Sequence, residues 1–132
     1  MSSAPVTKGT VGLAANSCNF TAPKTYYASD GTGFTDYCFT DWPSGDDTAD
    51  GTGKVRDLTR ATVYTFEACM QECLDYGDNV VSGGTRCAAV TYNANLTRII
   101  ALGHQGGNCF LKNKKGVDEQ GSTESACAAI TY

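Results

Sequence analysis

Cys69 and Cys73 stand four residues apart in "EACMQECLDYG" (67–77). Thiols at that spacing admit three chemistries. As zinc ligands they would belong to paired C-x2-4-C knuckles or to a Cys/His set of four. The only histidine is His104 and no second knuckle follows, so no metal is expected. As a redox pair they would form C-x-x-C at a helix N-terminus, where the dipole lowers a thiol pKa. The spacing here is one residue too long. As staples, residues i and i+4 share one helix face. A helix lying across a sheet could then be tied to two strands, provided the Cα atoms come within about 7 Å. Cys87 and Cys109 each fall in a segment that reads as a strand, and each would supply one partner. The staple reading fits best.

The remaining reactive side chains form no catalytic set. His104 lies in the glycine-rich "GHQGG", and a Cys–His nucleophile would need a free thiol beside it. Asp41, Asp46, Asp47 and Asp50 crowd "DWPSGDDTADG". Acid/base pairs need carboxylates fixed in a cleft about 5–10 Å apart, which such a loop does not promise. The same carboxylates before Gly51 suggest hard oxygen ligands for calcium, but the spacing is not that of an EF-hand and no closing Glu follows. "GTGK" (51–54) lacks the P-loop spacing. Neither hydrolase nor oxidoreductase activity is expected, and no cofactor.

Recognition needs aromatic surface beside polar groups. Tyr26, Tyr27, Tyr37, Trp42 and Tyr92 lie on or near expected strands. Ordinary sheet packing is the competing role for each. Trp42 stands out because it precedes Pro43 in a polar loop, where burial is less natural for it. The run "KNKKG" brings Lys112, Lys114 and Lys115 together, either to meet an acidic partner or to guard a strand edge.

These residues must be positioned by a small scaffold. The 132 residues suffice for one domain with a modest core. A net charge of −4 gives no reason to expect nucleic acid, and no apolar run is long enough to span a membrane. Seven cysteines are dense for this length and point to a secreted, disulfide-held protein. "MSSAPVTKG" has no apolar leader core, as expected of a mature or recombinant chain that begins after a removed leader. Sequons at Asn19 and Asn95 agree with an exported glycoprotein.

Along the chain, residues 1–17 read as a polar arm and 18–132 as one domain. "KTYYAS" (24–29) and "GFTDYCFT" (33–40) form a hairpin about Asp30-Gly31, and 43–54 is a loop. A helix is expected over 65–76, with Thr65 as N-cap, Phe66, Cys69, Met70, Cys73 and Leu74 on one face, and Gly77 as the stop. "CAAVTYNA" (87–94), "NCFLKN" (108–113) and "SACAAITY" (125–132) read as strands.

"YTFEACMQECL", "RCAAVTYNA" and "GNCFLKNKKG", in that order, resemble the PAN/apple domain family, especially its fungal secreted members. The resemblance is good over about 64–113 and looser upstream, through "GFTDYCFTDWPSGDD". It implies an α+β fold with one short helix on a small antiparallel sheet. It also implies nested bridges, Cys69 to Cys109 and Cys73 to Cys87. Cys18, Cys38 and Cys127 are left. In apple domains proper a third bridge ties the first strand to the last, whereas the fungal pattern pairs two early cysteines. Cys18–Cys38 fits the second pattern; Cys127 bonded to either is the alternative. An odd count leaves one thiol free or intermolecular, and Cys127 as a buried free thiol is preferred.

Members of the family bind proteins or carbohydrates. The expectation is therefore an extracellular recognition module engaging a glycan or a cell-surface protein in an adhesion or lectin-like role. Its groove would lie on the sheet face opposite the helix or under the loops. A self-associating surface protein, building oligomers or fibres, is the other class.

Overall fold

The computed structural model describes residues 5–78 and 86–131. In chain order its elements are β1 (Lys24–Tyr27), β2 (Gly33–Cys38), β3 (Thr40–Asp41), β4 (Asp57–Ala61), α1 (Phe66–Asp78), β5 (Ala89–Asn93), a π-helical turn (Thr97–Leu102), β6 (Cys109–Lys112), β7 (Glu119–Gln120) and β8 (Ser125–Ile130). Six strands form one antiparallel sheet in the order β1-β2-β8-β5-β6-β4, and β3 pairs with β7 as a separate ribbon. This is the α+β architecture expected, one short helix on an antiparallel sheet.

Local chemistry explains the elements that carry a clear pattern. Asp30 Oδ1 accepts the Thr32 N–H at 2.8 Å, and Gly31 takes φ +90°, so the β1–β2 hairpin turns where Asp-Gly stands. Thr65 Oγ1 accepts the Ala68 N–H at 3.0 Å and caps α1. Gly77 does not stop the helix: α1 runs on to Asp78. β4, with no apolar alternation, escapes sequence reading. Its antiparallel pairing with β6 defines it.

Side-chain alternation gives the sheet two different faces. Phe34, Val90, Tyr92, Cys109, Leu111, Ala126 and Ala128 point toward α1 and meet its Phe66, Cys69, Met70 and Cys73 in the main core. The other face carries Ala89, Cys127 and Ala129, covered by Trp42 with Tyr37 packed alongside. Each large side chain fully buried this way contributes about 1.5–3 kcal/mol.

Three disulfides reinforce the main layer. Cys69–Cys109 and Cys73–Cys87 span Cα distances of 5.5 and 5.3 Å and tie one face of α1 to β6 and to the segment entering β5. Cys18–Cys38, at 5.2 Å, anchors the segment before β1 to the end of β2. Each bridge contributes about 2–4 kcal/mol. Cys127 is the free cysteine. The stretch that reads as an arm is fastened to the domain: Leu13 bridges to Asn95, and the Ala14 and Ala15 N–H groups donate to Ala94 and Tyr64 carbonyls at 2.8 and 3.0 Å.

Candidate functional site

The sheet face turned away from α1 carries a groove of about 380 Å³ at the end where β5 finishes and β8 begins. Thr91, Asn93, Phe110 and Ser125 line it from the sheet. Asp41 and Pro43 border it on one side, Ile99 and Gln105 of the π-helical turn and its exit on another. The strand residues reach it by alternation. Phe110 follows Cys109 and Asn93 follows Tyr92, so cysteine and tyrosine face α1 while their neighbours face the groove.

The groove is polar at its base. Asn93 Nδ2 donates to Ser125 Oγ at 3.4 Å. Lys112, almost fully buried, pairs with Asp57, which also meets Arg60 at 3.5 Å. The Arg60 and Lys112 cations lie 5.5 and 5.7 Å from the Phe110 centroid, within cation–π range. Carboxylates, amides, two hydroxyls and one half-buried aromatic ring thus converge. They can accept from and donate to hydroxyl groups and pack an apolar ring face. No nucleophile–base pair is among them, and His104 lies outside the groove in an exposed turn at φ +55°.

A second groove of about 550 Å³ opens at the opposite end of the sheet, where β5 begins and β8 finishes. Arg86, Ala88, Asn113, Lys114, Lys115 and Ala129 are among its lining residues.

The five aromatic candidates do not gather in one site, although Tyr37 and Trp42 meet. Trp42 is fully buried, contrary to its polar neighbourhood in sequence, because small residues of β5 and β8 leave a slot for the indole. Tyr92 is also fully buried. It stacks on Phe66 at 5.9 Å and donates its hydroxyl to the Ala15 carbonyl at 2.6 Å. Tyr26 packs against the main core and Tyr27 is 70% exposed on the edge strand β1. Tyr37 meets Trp42 edge-on at 5.5 Å and accepts a hydrogen bond from Lys115 Nζ at 2.8 Å. The lysine run is likewise dispersed: Lys112 faces the first groove, whereas Lys114 and Lys115 face the second. Reading strand parity from the cysteines would have found Phe110. Asp57 and Gln105 carry no comparable signal.

The acidic loop satisfies itself. Lys114, Thr48 and Thr52 all hydrogen-bond Asp50 and hold its carboxyl well below the usual range. Asp47 pairs with Lys54. Among the described residues no three His, Cys, Asp or Glu side chains gather as a metal site requires. Asp36, buried on the helix side of β2, has its carboxyl raised to about 7 by burial and by the Glu67 charge.

A helix stapled to a six-stranded antiparallel sheet that carries two grooves defines a small disulfide-held α+β domain. The PAN domain family model matches residues 47–132, and the chain belongs to that family. PAN domains are non-catalytic interaction modules that bind proteins or carbohydrates in extracellular proteins. Neither the curated proteins nor the solved structures yield a match. Residues upstream of the matched span supply β1, β2 and β3, and β2 pairs directly with β8. Among the described residues no helix is long and apolar enough to cross a membrane.

Proposed function

We propose that this chain is a secreted, non-catalytic recognition module, fungal in type, that binds a carbohydrate at a cell surface or wall. The observation that carries the reading is the groove around Phe110. Acceptors, donors and an aromatic ring meet there on a sheet pinned by disulfides, and a rigid platform lowers the ordering cost of binding. Tyr27 and Tyr37 keep accessible ring surface and are the aromatic candidates the proposal retains beside Phe110. Three disulfides support the extracellular location.

The test is a glycan array on the monomer, followed by titration of a hit against Phe110→Ala. The variant should lose about 1–3 kcal/mol of binding with its disulfides and circular dichroism intact. Unchanged affinity in the folded variant would remove the groove from the function. A protein ligand with no glycan hit would replace the carbohydrate reading.

One observation favours self-association as a second reading: β1 is an edge strand carrying the exposed Tyr27. Light scattering with and without reductant decides it. Ordered assemblies from protein that binds nothing on glycan and cell-wall panels would support it.

A further inference from the structure

The second groove differs from the first in charge and in floor. Arg86, Lys114 and Lys115 set three cations against the single carboxylate of Asp50, in a chain whose net charge is −4. The lysines are held in place. Lys115 Nζ sits 4.3 Å from the Tyr37 centroid and 5.9 Å from that of Trp42, besides donating to the Tyr37 hydroxyl. Lys114 Nζ donates to Asp50 at 2.8 Å and Thr52 at 2.7 Å. Each ammonium has three N–H donors, so both retain donors for a ligand. Arg86 is exposed and has no ion-pair partner among the described residues. Beneath them Ala88, Ala129 and Ile130 present methyl groups.

We infer that this groove binds a sugar unit bearing a carboxylate or sulfate, with Arg86 and Lys115 holding the anionic oxygens and the alanine floor meeting the flat face of the ring. This deepens the carbohydrate reading and rests on it. Charge complementarity selects an anionic occupant, and guanidinium and ammonium groups bind carboxylate and sulfate oxygens through charge-assisted hydrogen bonds. An acidic peptide fits less well. A peptide that docks by adding a strand to a sheet edge finds none here, since the edges are β1 and β4, neither of which lines the groove.

The full chain is titrated with three oligosaccharides of one backbone (neutral, carboxylated and sulfated) while backbone amide shifts are followed by NMR. At low salt one of the two acidic forms should bind at least about tenfold tighter than the neutral form, the worth of one charge-assisted contact. Added salt should shrink that advantage, and shifts should centre on Ala88 and Ala129. The preferred acidic form identifies the anion. Arg86→Gln, at an exposed position, should remove most of the preference without touching the fold, and Lys115→Gln should add to the loss. Equal affinity for acidic and neutral forms, or a preference that survives Arg86→Gln, overturns the inference. Neutral binding with shifts around Phe110 and no acidic preference overturns it while leaving the proposed function standing. An acidic peptide that binds here, with no glycan bound anywhere, overturns both.

Discussion

The indole N–H of Trp42 donates to Asp118 Oδ1 at 2.8 Å, although the ring itself is fully buried. One bond thus joins the second sheet face to the loop before β7. Gly116 lies so close that an added Cβ would stand 3.0 Å from the Trp42 Cβ, and Tyr37 closes the ring edge-on. Trp42 serves as the core of this face. Trp42→Ala should cost about 3–5 kcal/mol in denaturant titration, and Trp42→Phe less, because part of the ring volume stays. A loss below about 1 kcal/mol in Trp42→Ala would refute the packing role.

Asp36 makes stability depend on pH. Its carboxyl is raised from the ordinary 3.8 to about 7, by burial first and the Glu67 charge second, and Oδ1 has no hydrogen-bond partner. Between those two values the native state therefore holds a proton that the unfolded chain has released. Its contribution is complete below about pH 4, falls as pH rises, and is lost above about pH 7. The difference is on the order of 2–4 kcal/mol. Asp36→Asn, which cannot ionise, should be more stable than the parent at about pH 8 and lack this slope between about pH 4 and 7. Parallel stability curves for the two proteins would disprove it.

Cys127 should be inert while the chain is folded. Its thiol lies fully buried beside Thr91 Oγ1 at 3.3 Å and donates to the Thr40 carbonyl at 3.1 Å, and burial pushes its pKa up. A thiol reagent should label nothing in native protein and one thiol per chain after unfolding without reductant. Rapid native labelling would show that the face around Trp42 opens.

The two sequons should differ in use. Asn19 is exposed. Asn95 is half-buried; its Nδ2 donates to Glu124 at 3.1 Å and its Oδ1 accepts the Arg98 N–H at 3.1 Å. Thr97 Oγ1 is engaged as well, accepting the Gly12 N–H at 2.7 Å. Peptide mapping of protein made in a glycosylating host should find Asn19 occupied and Asn95 bare. The reverse would mean that glycosylation precedes docking of residues 12–14.

Legibility depends on where the determining forces sit. The helix and the cysteine-bearing strands announce themselves because their periodicity is local. β4 and the β3–β7 ribbon do not, since short polar strands exist by virtue of their partners. Trp42 misleads for the same reason: its neighbours Pro43 and Ser44 are polar or loop-forming, while the slot that buries it is cut by Ala89, Cys127 and Ala129, far along the chain. The groove is half readable. Phe110 and Asn93 can be placed by parity, whereas Asp57 and Gln105 arrive through pairing and a π-helical turn without a sequence signature.

The strand order has a consequence for biosynthesis. β8 is the last strand in the chain, yet it lies between β2 and β5. Until it emerges from the ribosome, β1-β2 and β5-β6-β4 are two separate ribbons with exposed inner edges and no continuous layer beneath α1. The six-stranded sheet therefore cannot close until β8 is available. Such long-range pairing is intrinsically slow, so the cysteines stay mobile until β8 docks. Disulfides that form before β8 docks lack the sheet that would select their partners, so β8 acts as the template that fixes the pairing of the cysteines.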